Sequence, residues 1–253
     1  MYTALYSMFE IKFFGGLLGL SEVHTALWWS VAALIVIGAY FLGSINFAIY
    51  ISKAAYHKDI REYGSKNAGM TNMMRTFGTK AAVVVLVGDI MKSVVSVALG
   101  MLLCGIDVAY VAGVFCIIGH CFPVYYSFKG GKGFATAAGM VLAADPLVFF
   151  FCLIIFVLVV WGTKFISAGS ILSALFFPLI LSMVHRVPFG ISLTMALSSV
   201  FLAFFILFNH RANIARILSG TEKKFSFKKS VPTDAEKEAN KDSDEKSNGE
   251  KDA

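Results

Sequence analysis

Ala81–Leu103 reads AAVVVLVGDIMKSVVSVALGMLL, an apolar run of 23 residues interrupted only by Asp89 and Lys92. About 20 such residues cross the hydrocarbon core of a bilayer as a helix. The two charges stand one helical turn apart, where pairing on one face lowers their cost at that depth. A structural ion pair and a direct substrate role suit them equally well. The rest of the chain agrees with a membrane setting: 57% of residues are hydrophobic, 15% are charged, and mean hydropathy is +0.73. A soluble domain carries about 25% charged residues. Long unbroken apolar runs, rather than alternating ones, select helices over a β-barrel.

Outward from that run, Trp28–Ile51 precedes it, with Trp28 and Trp29 suited to the interface and Gly43 and Ser44 permitting close helix contact. Val108–Phe128, Gly133–Ala144, Leu147–Gly162, Ser167–Val184 and Phe189–Phe208 follow. Gly133–Ala144 is short and rich in Ala and Gly, which fits a wholly or partly spanning helix packed closely against others. The expected fold is all-α, a polytopic membrane protein with about seven transmembrane helices. Residues 1–27 form an N-terminal extension without the pattern of a signal peptide, with an interfacial helix expected around Phe9–Leu20. Residues 28–222 form the membrane-embedded domain, and 223–253 a polar tail whose composition predicts disorder.

The net charge of +6 is uneven. From Thr221 onward eight Lys face nine acids, whereas the preceding body has fourteen Lys and Arg against seven acids. Alternate loops place Lys53, Lys58, Arg61, Lys66, Arg75, Lys80, Lys129, Lys132, Lys164, Arg211 and Arg216 on one side, with Lys12 and Arg186 opposite. The positive-inside rule makes the rich side cytoplasmic, the N-terminus external and the C-terminus cytoplasmic. Cys104, Cys116, Cys121 and Cys152 lie in or beside apolar runs, form no CxxC pair, and read as inert buried thiols.

Four polar islands interrupt the apolar runs, all on the basic side. Asp59–Gly78, DIREYGSKNAGMTNMMRTFG, combines small residues, neutral hydrogen-bonding groups and Arg61, Lys66 and Arg75. That mixture suits an anion with several acceptor oxygens. Phe128–Thr136, FKGGKGFAT, interleaves Gly130, Gly131 and Gly133 with Lys129 and Lys132. A helix starting near Lys132 would add its N-terminal partial charge for a phosphate. The spacing is neither a Walker P-loop nor GxGxxG. Lys164 and Ser167 form a third island, which alone reads as a helix end. The fourth, Asn209–Arg216, continues to Gly220 and Glu222; on one helix Asn209, Asn213 and Arg216 would share a face, with His210 beside them. A histidine among polar groups can titrate near neutrality.

Together, GSKNAGMTNMMR, GHCFPVYYSFKGGKGFAT and NIARILSGTE, in that order, resemble the bacterial acyl-phosphate:glycerol-3-phosphate acyltransferase family over roughly Tyr40–Glu222. The resemblance implies a seven-helix enzyme of the bacterial cytoplasmic (inner) membrane with its active face cytoplasmic. It would move a fatty acyl group from acyl phosphate to glycerol 3-phosphate, giving lysophosphatidic acid and phosphate for phospholipid biosynthesis. It implies no cofactor, no metal and no nucleic acid, and association with the enzyme that produces acyl phosphate. Carried over residue by residue, the catalytic set is Ser65, Arg75, Lys132, Ser167, His210 and Asn213. The substrate-binding set is Asn67, Gly69, Thr71, Asn72, Lys129, Gly130, Gly131, Gly133, Lys164, Arg216 and Glu222. Asn46 stands where the family commonly has Pro, Lys66 where it often has Gly, Ser93 where Gly often follows the lysine, and Phe165 replaces a common Tyr.

On this reading Ser65, Gly130 and Gly131 hold the acyl phosphate while Arg75, Lys132 and Ser167 attract glycerol 3-phosphate, although either phosphate fits either pocket. His210 and the donor's own phosphate are equal candidates for taking the hydroxyl proton. A transporter of phosphorylated metabolites is the alternative. It would need alternating access, yet the sequence has no evident inverted repeat and only Asp89 and Lys92 lie deep within spans.

Overall fold

The computed structural model describes residues 21–185 and 190–225. The interfacial helix expected around Phe9–Leu20, and the tail from residue 226 onward, lie outside the described residues. All regular structure among the described residues is helical: α1 Ser21–Ser44, α2 Phe47–Tyr56, α3 Met70–Phe77, α4 Thr79–Cys104, α5 Ile106–Cys121, α6 Phe134–Ala144, α7 Pro146–Thr163, α8 Ile166–Val184, α9 Leu193–Asn209 and α10 Arg211–Leu218, with 3-10 turns at Ile60–Glu62 and Val124–Tyr126.

Five of these segments are long and apolar enough to cross a membrane, and α9 with α10 makes a sixth if that pair, bent by 57°, counts as one span. The expected span Gly133–Ala144 is instead an 11-residue helix, about 17 Å long against a hydrocarbon core of about 30 Å. Its shortness has a local cause. Ser127 and Phe128 both take left-handed backbone conformations, with φ of 57° and 58°. They turn the chain back along α5, where the Gly130 N–H donates to the Cys121 carbonyl and the Gly131 N–H to that of His120. Gly133, at φ 85°, then starts α6 beside Ile117, about one turn inside the end of α5. A side chain could not be seated there without displacing Ile117 or Cys121.

The first span also differs from expectation. The helix is already present at Ser21, ahead of Trp28, and breaks at Ile45–Asn46 rather than continuing to Ile51. Lys92 on α4 causes the break to be stable. Its Nζ donates to the carbonyls of Gly43 and Ile45, each at 2.9 Å, and lies 2.9 Å from Asp89 Oδ1. A cation thereby satisfies carbonyls that the end of α1 leaves orphaned. Asn46 starts the next helix, accepting from the Ile49 N–H at 3.1 Å and donating to the Ala68 carbonyl at 3.3 Å, work that a proline could not do. Asp89 and Lys92 therefore form a buried ion pair with a packing role.

Small residues let the helices approach closely: a side chain at Gly43 or Gly119 would strike the backbone where α1 crosses α5, and one at Gly139 would strike Ile90 on α4. Helix α6 lies between α4, α5 and α7, while α8 packs against both α7 and α9. Helix α7 has only Val148 buried, so most of its surface faces outward, as lipid contact demands.

Candidate active site

The four polar islands meet at one end of the bundle. Arg61 joins the first to the second: its guanidinium pairs with Asp59 at 2.7 Å and donates to the carbonyls of Tyr126 and Lys129 at 3.0 and 3.2 Å. The Arg61 hydrogen bond holds the Asp59 carboxyl well below the usual carboxylate range. Within the first island, Asn72 on α3 closes the loop that carries Ser65. Its Oδ1 accepts from the Ser65 N–H at 2.8 Å, and its Nδ2 donates to Ile60 and Tyr63 carbonyls at 3.2 and 2.9 Å. At 1% exposure, Asn72 shapes the loop rather than presenting its amide outward.

Between these loops opens a cavity of about 790 Å³. Its polar mouth includes Ser65, Asn67, Gly69, Thr71, Arg75, Lys132, Ser167, His210, Asn213, Arg216 and Glu222. Helices α3, α6 and α8 all start at this mouth, so three positive helix ends converge where Arg75, Lys132 and Arg216 stand. The cavity then continues between α6, α7, α8 and α9 as an apolar shaft lined by residues such as Ala137, Phe149, Ala174 and Phe177.

Glu222 organises Ser167, Asn213 and Arg216 at this mouth. One carboxylate oxygen accepts from Ser167 Oγ at 2.6 Å and Asn213 Nδ2 at 2.7 Å, and the other from Arg216 Nε at 2.7 Å. Burial alone would raise its carboxyl, but the hydrogen bonds from Ser167, Asn213 and Arg216 outweigh that and hold it below its ordinary value. Asn213 Oδ1 in turn accepts from Lys132 Nζ, so the carboxylate fixes the amide and the amide fixes the ammonium. Burial pushes the Lys132 ammonium down to about 8, with Arg216 and Arg75 adding to the shift and Glu222 opposing it. Burial likewise lowers Arg75, against a rise from Glu222.

His210 sits at the bend between α9 and α10. Its Nδ1 lies 2.8 Å from the Ile206 carbonyl, which can only accept; the proton is therefore on Nδ1 and Nε2 carries the lone pair. The bend separates residues expected on one face. Asn209 ends α9 and its amide reaches Cys121 Sγ at 3.5 Å, whereas Asn213 belongs to α10 and faces the cavity.

Some expected residues are placed elsewhere. The N–H groups of Gly130 and Gly131 are engaged by Cys121 and His120 carbonyls, and neither glycine reaches the cavity wall. They are small because a side chain at either would overlap the His120 carbonyl or ring. Lys129 is exposed and off the wall. Lys164 is also exposed, in the left-handed position that ends α7, with its carbonyl accepting from the Phe225 N–H at 2.7 Å. Gly133 does line the cavity, as the start of α6. Conversely, sequence reasoning missed the segment after Glu222. Lys223 offers its carbonyl to Arg75 at 3.3 Å, and Phe225 packs against the buried cluster that includes Ile49 of α2, Met73 of α3 and Val85 of α4. The signal was an aromatic pair in the lysine-rich KKFSFKK. His120 falls within the second glycine-rich motif without an assigned role: it is buried at the cavity lining, its Nδ1 2.9 Å from Lys92 Nζ and 3.3 Å from Asp89.

Fold and site define a polytopic membrane protein with a cationic cavity opening onto an apolar shaft. A family-wide sequence profile described as "Glycerol-3-phosphate acyltransferase" matches residues 33–220. Proteins of that name from Finegoldia magna, 43% identical over 76% of this chain and 96% of theirs, and from Bacillus subtilis, 40% identical over 77% and 98%, are similar to it. The chain belongs to the glycerol-3-phosphate acyltransferase family. Among solved structures, the glycerol 3-phosphate form of PlsY (YgiH), described as an integral membrane glycerol 3-phosphate acyltransferase, superposes with a TM-score of 0.73 at 34% identity, covering 77% of this chain and 96% of that one. The lysophosphatidic acid form of that protein gives a TM-score of 0.70 at 32% identity.

Proposed function

We propose that this protein transfers a fatty acyl group from acyl phosphate to glycerol 3-phosphate, forming lysophosphatidic acid and inorganic phosphate at the cytoplasmic face of a bacterial inner membrane. The observation that carries the reading is a cavity that joins a cationic mouth to an apolar shaft. Two phosphates and one acyl chain fit that combination. The skew of Lys and Arg toward the end of the bundle that holds the mouth supports a cytoplasmic orientation. Because α6 carries the chain away from that end and α7 returns it, seven passes, one of them short, fit the external N-terminus and cytoplasmic C-terminus.

In this mechanism Ser65, the α3 N-terminus at Gly69–Thr71 and Arg75 hold the donor phosphate, with Asn67 beside them and Asn72 shaping their loop. Lys132, Ser167, Asn213 and Arg216 hold glycerol 3-phosphate, with Glu222 orienting the last three. Gly130, Gly131 and Gly133 set the path that brings Lys132 to the mouth, while Lys129 and Lys164 contribute to the basic surface around it. The acceptor's primary hydroxyl oxygen attacks the acyl carbonyl carbon, and the carbon–oxygen bond to phosphate then breaks. The hydroxyl proton is taken by the leaving phosphate, or passes to it through His210 Nε2. Positioning and preorganised positive charge supply most of the acceleration.

Detergent-purified protein supplied with glycerol 3-phosphate and either acyl phosphate or acyl-coenzyme A tests the donor. Phosphate and lysophosphatidic acid should form together from acyl phosphate alone. Ser65→Ala or Lys132→Ala should cost about 2.7–4 kcal/mol, roughly 10²–10³-fold. Equal turnover from acyl-coenzyme A, or full activity in both variants, would refute the assignment.

A further inference from the structure

The shaft beneath the mouth has a closed end whose depth can be read from contacts between its helices. On α8, Ser167, Ser170, Ser173, Ala174 and Phe177 line it at intervals of three or four, so the cavity follows one face of that helix. Ser170 and Ser173 donate to the Ile166 and Cys152 carbonyls, each at 3.0 Å, which satisfies their hydroxyls and leaves them as small wall residues. The bond to Cys152 places residue 173 opposite 152, and the approach of Gly169 to Phe156 places 169 opposite 156. The antiparallel pair α7 and α8 therefore sets Phe177 opposite Val148, next to Phe149. On the other side, the Phe134 and Phe156 rings stack at 5.3 Å, and the same counting sets Val141 opposite Phe149. Two helix registers thus bring Val141, Phe149 and Phe177 to one depth. Val148, level with Phe177, and Leu181, one turn deeper, are both 0% exposed and belong to a packed core that closes the shaft.

We propose that this closed shaft is a chain-length ruler, with Phe177 as its principal stop and Ala174 as the wall position that sets clearance just above it. The inference rests on the acyl-phosphate reading above and adds what limits the acyl group. Ser167 to Phe177 is ten residues of helix, about 15 Å. With carbon–carbon bonds near 1.5 Å, an extended acyl chain advances about 1.25 Å per bond, so the stop lies roughly 12 bonds below the mouth. Longer chains reach the Phe177 ring and must bend. Ala174 lies one turn higher, about 4.5 Å, or roughly four carbons. A bulky side chain there shortens the shaft by that amount.

The test is kcat/KM for saturated acyl phosphates of 8, 12, 16 and 18 carbons with wild type, Ala174→Leu, Phe177→Leu and Phe177→Ala. Ala174→Leu moves the stop to roughly eight bonds and should lower the ratio of 12-carbon to 8-carbon activity about tenfold or more, since a misplaced methylene in an apolar pocket costs 10–200-fold. The two Phe177 variants should move the optimum toward longer chains, Ala further than Leu, and KM for glycerol 3-phosphate should stay unchanged in all three. Phe177→Leu keeps an apolar side chain in the core, so its profile remains readable if Phe177→Ala folds poorly. Variants that change every chain length by one common factor would overturn the ruler while leaving the donor reading intact. A wild-type protein that uses no acyl phosphate of any length would overturn the donor reading, and the ruler with it.

Discussion

Lys132 makes the reaction sensitive to pH in a direction that can be worked out beforehand. Its ammonium is held between Asn213 and the charges of Arg75, Arg216 and Glu222, and burial brings it down to about 8. A lysine with a lowered value keeps its charge below that pH and loses it as the pH rises through it. The protonated fraction is then about 90% at pH 7 and about 10% at pH 9, against a nearly constant charge for an unperturbed lysine near 10.4. If the charged form is required to capture glycerol 3-phosphate, kcat/KM for that substrate should fall about tenfold between pH 7 and pH 9, since this parameter reports the free enzyme. At saturating glycerol 3-phosphate the bound dianion favours the ammonium, so kcat should fall at a higher pH than kcat/KM. Initial rates of phosphate release, corrected for spontaneous hydrolysis of acyl phosphate, give both profiles. Lys132→Arg should lower activity at pH 7 through the changed geometry, yet flatten the alkaline limb because guanidinium does not titrate there. A wild-type profile flat to pH 10, or an alkaline limb unchanged in Lys132→Arg, would refute the reasoning.

Asn72→Ala removes hydrogen bonds to Ser65, Ile60 and Tyr63 and should cost about 1–3 kcal/mol of stability, read as a lower Tm in detergent, together with reduced kcat. An unchanged Tm with weakened substrate binding would instead make Asn72 a direct ligand. For orientation, single cysteines at Lys66, Lys129 and Ser219 in a cysteine-free background should all label from the cytoplasmic side; labelling of any one from outside would separate the islands that the cavity unites.

Hydropathy located the long helices because lipid imposes a nearly one-dimensional rule on sequence. It overran at Ile45–Asn46 because what stabilises the break is Lys92, on another helix and more than forty positions away. Hydropathy also could not distinguish a short helix from a span at Gly133–Ala144, since the depth at which α6 starts is set by backbone bonds to His120 and Cys121. The site was legible as four clusters of glycine, cations and amides, and Ser65, Arg75, Lys132, Ser167, His210 and Asn213 do line one cavity. Composition did not reveal which glycines offer amides and which only make room. Gly130 and Gly131 belong to the second kind. The bend at His210 likewise breaks the helical periodicity that would have grouped Asn209 with Asn213.

The early start of α6 beside Ile117 sinks the catalytic floor about one turn below the end of α5. In the proposed transfer a water-soluble acceptor therefore descends to that floor, while a membrane-borne donor keeps its hydrocarbon within the bilayer and never has to desorb. On the proposed reaction, the product is an amphiphile formed at the depth and orientation of its neighbours in the leaflet. Its release is then lateral diffusion into a two-dimensional phase rather than transfer into water. Turnover should consequently respond to the surface density of donor in a vesicle, not to its bulk concentration.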